Sequence, residues 1–60
     1  MTLDRLHVVQ AVQRFQLMPQ TDRVFIVPGP HKTYMVLWVL KSGARHHLST
    51  QEQVFHALGA

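Results

Sequence analysis

The sequence predicts an α+β fold of order αβββα, a three-stranded antiparallel meander with two terminal helices packed on one face. Three observations carry this. Apolar residues recur at helical spacing near both ends, and the segment between them is β-branched and aromatic. Pro28-Gly29-Pro30 and Ser42-Gly43 divide that segment into three pieces.

The first helix runs from Leu3 to about Gln16, a stretch without Gly or Pro. Thr2 is placed to cap it and Asp4 to stand in its first turn, where a negative charge suits the helix dipole. Val8, Ala11, Val12 and Phe15 form one apolar stripe, widened by Leu3, Leu6 and Val9. His7, Gln10, Gln13 and Arg14 fall mostly opposite. Pro19 ends the helix near Leu17–Met18, because it disfavours helical geometry at the residue before it.

After a polar turn at Gln20–Asp22, Arg23–Val27 reads as the first strand. Thr33–Lys41 (TYMVLWVLK) is the strongest strand in the chain. Ser42-Gly43 then makes a tight turn, with Gly43 supplying a positive φ. Ala44–Leu48 returns as a short third strand. Ser49 with Glu52 has the form of a capping box for a last helix. Val54, Phe55 and Leu58 give that helix an apolar stripe, and Gly59 stops it.

The chain has 60 residues and reads as one domain, 1–60. A chain this short buries only about 60% of the surface its unfolded form exposes. It is 47% hydrophobic but only 15% charged, against a usual charged share of ~25%. That composition argues against intrinsic disorder. Cysteine is absent, so neither a disulfide nor a thiolate metal site is available. No basic start followed by an apolar run marks a leader, and the longest apolar run, Tyr34 to Leu40, has seven residues. A bilayer span needs about 20. The sequence therefore reads as cytoplasmic.

That apolar run is the most informative feature. Side chains alternate across a strand. One face carries Tyr34, Val36, Trp38 and Leu40; the other carries Met35, Leu37, Val39 and Lys41. A sheet with one wet face should alternate apolar with polar. Two short helices cover one face of three strands, not two. A two-residue turn at Ser42-Gly43 pairs Val39 with His46 and Trp38 with His47. Arg45 and His47 then join the aromatic face, and His46 and Leu48 join the aliphatic one. The aliphatic face is assigned to the core under Phe15, Val12, Phe55 and Leu58, which leaves Tyr34, Val36, Trp38 and Leu40 outside.

Three readings apply to that outer face. It is a protein interface, most simply a two-fold homodimer. It is a platform on which Tyr34 and Trp38 stack single-stranded bases while Arg23, Lys32, Lys41, Arg45 and His47 hold phosphates. Or it is ordinary core. A pairing of strand edges into a six-stranded sheet is a further route to a dimer.

The net charge of +3, with histidine neutral, suits an acidic or nucleic-acid partner and equally plain solubility. Arg5 and Arg14 add to the cations a nucleic acid would use. There are five histidines. Zinc needs three or four converging ligands, and the adjacent His46 and His47 point to opposite faces. No metal or other cofactor is expected. No nucleophile elbow or P-loop occurs, and the only acids are Asp4, Asp22 and Glu52. The one candidate general acid or base is His31, exposed in a loop beside Lys32.

That loop, Gly29-Pro30-His31-Lys32-Thr33-Tyr34, together with the αβββα order, resembles the small HicA-type messenger-RNA-cleaving toxins, which share the double-stranded-RNA-binding fold. The resemblance implies catalysis by His31 and a phosphate contact from Lys32. It covers six residues of the chain. The RNA-binding domains open their last helix with lysines, whereas this chain has Ser49-Thr50-Gln51-Glu52-Gln53.

The sequence thus leads to a small non-enzymatic binding or regulatory protein, of the kind that phages and plasmids use as accessory regulators. It works as a homodimer and occupies a host or cognate protein. Nucleic-acid binding stands second and a HicA-like ribonuclease third.

Overall fold

In the computed structural model, which describes residues 1–59, the first helix is capped by Asp4, not Thr2. The Asp4 carboxylate accepts from the His7 backbone N–H at 2.8 Å and lies 2.7 Å from His7 Nδ1. Helix α1 spans Arg5–Gln16 and ends at Leu17. Thr2 bridges to Thr50 instead, and Leu3 to Tyr34. Strand β1 spans Thr21–Pro28, β2 Tyr34–Leu40 and β3 Arg45–Leu48, and helix α2 spans Gln51–Ala57. The sheet is antiparallel in the order β1-β2-β3, so the chain is an αβββα fold of the α+β class. Among the described residues, no helix is long and apolar enough to cross a membrane.

The capping box of α2 lies one residue later than expected. Thr50 Oγ1 accepts from the Gln53 N–H, and the Gln53 side chain accepts from the Thr50 N–H. Glu52 is thereby released from the cap. Its carboxylate meets the Met1 amino group at 2.7 Å, and this contact holds its pKa below the ordinary range.

The β2–β3 turn is also one residue longer than expected. The Leu40 N–H donates to the Ala44 carbonyl and the Gly43 N–H to the Leu40 carbonyl, both at 2.9 Å. Lys41, Ser42 and Gly43 therefore form a three-residue loop that closes on Gly43 at φ +93°. The register follows: Val39 faces Arg45, Trp38 faces His46, Leu37 faces His47 and Val36 faces Leu48. Each third-strand residue is moved to the face opposite to the expected one.

The core lies between α1 and the Val36–Trp38 face. Its buried residues are Leu3, Val8, Ala11, Phe15, Val36, Trp38, Leu48 and Val54. Val36 is fully buried and Trp38 is 7% exposed. The indole N–H, the one polar group on that ring, donates to Thr21 Oγ1 at 2.7 Å. The expected face assignment is thus reversed. Tyr34, Val36, Trp38 and Leu40 lie under the helix, and Met35, Leu37 and Val39 face away from it. Of the four side chains expected to cover the sheet, Phe15 is buried and Val12 and Leu58 are half-buried. Phe55 is 61% exposed.

Candidate functional site

The uncovered sheet face is built from alternate positions of all three strands. β1 contributes Arg23, Phe25 and Val27, paired with Val39, Leu37 and Met35 of β2. β3 contributes Arg45 and His47, opposite Val39 and Leu37. Phe25 is 45% exposed. Val27, Met35, Leu37 and Val39 are half-buried by one another and by the strand backbone, with no helix above them. The centre is apolar and its border is cationic. A shallow depression at one end is lined by Asp22, Arg23, Phe25, Leu37, Val39 and Arg45. Lys41 follows at the adjoining turn. Three of the six Lys and Arg residues therefore border this face, against one carboxylate, Asp22.

Asp22 occupies a β-bulge, where the register between β1 and β2 shifts between Thr21 and Arg23. The extra residue lets Thr21 stay under Trp38 while Arg23 and Phe25 remain on the open face. The sequence showed nothing of this bulge, and Phe25, Val27, Met35, Leu37 and Val39 were missed as surface residues. The signal that could have found them is the polarity of β3. Leu48 is its one apolar residue, and it had to join the covered face.

The expected interface residues are brought together, but inside. Trp38 stacks on Phe15, and Tyr34 is half-buried with the Arg5 guanidinium 6.0 Å from its ring centre. The base-stacking platform built on Tyr34 and Trp38 therefore has one half-buried and one buried ring, both on the covered face; the rings on the open face are Phe25 and the His47 imidazole. Of the cations proposed for phosphates, Arg23, Arg45 and His47 do share that face. Lys32 lies at the hairpin tip, and Arg5 and Arg14 lie on α1 across the sheet.

The hairpin tip is conformationally unusual. His31 and Lys32 both have left-handed backbone geometry, at φ 53° and 59°. Gly29 N–H donates to the Thr33 carbonyl and Thr33 N–H to the Pro30 carbonyl, both at 3.0 Å, which closes the loop around them. Thr33 Oγ1 also donates to the Pro30 carbonyl. Both side chains are exposed. No group of three His, Asp or Glu side chains converges here or elsewhere among the described residues.

A second apolar surface lies between the helices, a groove lined by Leu3, Ala11, Val54, Phe55 and Leu58 with His7, Gln10, Arg14 and Gln51 at its margins. Comparison with family models, curated proteins and solved structures finds no match for the chain.

Proposed function

We propose that the protein is a small non-enzymatic binding and regulatory protein that acts, as a homodimer, by occupying a protein partner through the open sheet face. One observation carries the reading: five apolar side chains, Phe25, Val27, Met35, Leu37 and Val39, stand on a face that no helix covers. Contiguous exposed apolar surface with a polar border is the usual mark of an interaction site. The border sets the partner's chemistry. Arg23 and Arg45 flank the depression, so the partner presents an apolar patch edged by carboxylates. The reading includes a cytoplasmic location, in keeping with a chain that uses no cysteine.

A tagged chain used as bait in host lysate tests this. The expected partner is a protein that stays bound after nuclease treatment and is lost with Leu37→Lys or Arg45→Glu. It is retained with His31→Ala, because the hairpin tip is outside the site. Loss of all binding on nuclease treatment, with an affinity that falls steeply with salt, would overturn the protein partner in favour of nucleic acid.

A further inference from the structure

We propose that two copies of the chain join edge to edge along β1, with Phe25 on the two-fold axis, into one six-stranded antiparallel sheet. The inference rests on the homodimer reading above and supplies its geometry. β1 is an outer strand. Its backbone polarity follows from the hairpin. The Gly29 N–H bonds to Thr33 and the Lys41 N–H to Gln20. Antiparallel alternation then turns the amides and carbonyls of Arg23, Phe25 and Val27 toward β2. Those of Val24 and Ile26 point outward, and no strand among the described residues lies beside them. An outer strand with apolar side chains and free backbone groups is a template for another strand. Here Phe25 is 45% and Ile26 41% exposed, one on each side of that edge. Between Arg23 and Pro28 the edge carries no charge.

The register is selective. With Phe25 opposite its own copy, Val24 of each chain meets Ile26 of the other as a hydrogen-bonded pair, and the two pairs make four backbone hydrogen bonds. Arg23 then faces Val27, so no like charges oppose. Moving the axis to Ile26 places Val24 against Pro28, which has no N–H to give. Moving it to Val24 places Ile26 against the bulge at Asp22. In the Phe25 register Pro28 of each chain stands opposite the Asp22 bulge of the other, so both irregular positions fall outside the two Val24–Ile26 pairs and end the pairing there. This register also sets the two open faces side by side on one surface of the doubled sheet, so that a partner meets a continuous apolar strip with cations at both ends.

The test uses three readouts on the whole chain. Sedimentation at micromolar to submillimolar concentration is expected to show a dimer. Hydrogen exchange read by NMR is expected to show the Val24 and Ile26 amides protected at high concentration and released on dilution. Ile26→Pro removes one outward N–H at a position where an outer strand accepts proline. It is expected to give a folded monomer, with its circular dichroism retained. Leu37→Lys, on the open face, is expected to remain a dimer. A chain that stays monomeric overturns both this inference and the homodimer reading, and leaves the open face as a binding site. A dimer whose Val24 and Ile26 amides exchange freely, or one that survives Ile26→Pro but not Leu37→Lys, overturns the edge geometry alone.

Discussion

The ring of Phe15 lies 4.6 Å from that of Trp38, centroid to centroid, at an interplanar angle of 37°. This contact seats α1 on the Val36–Trp38 face of β2. Phe15 is fully buried at the C-terminal end of the α1 stripe. Removing a buried Phe side chain costs about 3–5 kcal/mol. Phe15→Ala is expected to lose an amount in that range, a large share of what so short a chain holds. Urea denaturation followed by the emission of Trp38, the only tryptophan, measures it.

Adjacent strand positions should respond in opposite ways. Trp38→Lys places a charge where the side chain is 7% exposed, and it is expected to unfold the chain. Leu37→Lys puts the same charge on the open face and is expected to shift stability by no more than about 1 kcal/mol. Thermal melts of the two variants compare them directly. Equal losses would contradict the assignment of faces.

The cap of α1 has a pH signature. The His7 backbone N–H bonded to the Asp4 carboxylate holds that carboxyl below the ordinary range. The carboxylate therefore stabilises the fold fully above the unfolded value of about 4, and this stabilisation is lost as pH falls through the lower folded value. Helical circular dichroism is expected to decline on acidification below that value. Asp4→Asn keeps a capping side chain and is expected to remove the part of the decline that belongs to Asp4.

At α2 the Thr50 hydroxyl, not that of Ser49, receives the Gln53 N–H. Thr50→Ala is expected to cost about 1 kcal/mol, the usual value of an N-cap. Ser49→Ala is expected to cost less, since Ser49 Oγ only donates to the Gln53 side chain at 3.2 Å. Chemical denaturation of the two variants separates them.

Left-handed geometry at His31 and Lys32 costs about 1–2 kcal/mol per residue for side chains other than glycine. Lys32→Gly is expected to raise or preserve stability despite the added freedom of the unfolded chain. Gly29→Ala is expected to lower it, because a Cβ there would stand 2.8 Å from Thr33 Oγ1, whose hydroxyl is committed to Pro30. Melting temperatures check both.

Much of the fold was legible residue by residue. The α1 stripe of Val8, Ala11 and Phe15, the stop before Pro19, and the breaks at Pro28–Pro30 and Gly43 depend on local geometry. Local geometry is what spacing and turn chemistry report. The caps were displaced by one or two residues because Thr2, Asp4, Ser49 and Thr50 are all competent caps. The choice among them depends on where the chain on either side is held. Thr2 is drawn away by Thr50, and Leu3 by Tyr34.

The sequence by itself determined the order αβββα and the surplus of apolar side chains on Tyr34–Leu40, more than two short helices can cover. Only the tertiary structure decided which face is surplus. β2 is apolar on both sides, so its own pattern is degenerate. The decision passes to β3, where Leu48 is apolar and Arg45 and His47 are not. A two-residue turn would have set Leu48 beside Leu37 and Val39. The three-residue loop ending at Gly43 sets it opposite Val36, and the face with Val36 and Trp38 closes under Phe15. With a side-chain period of two, one residue in a turn exchanges core for surface.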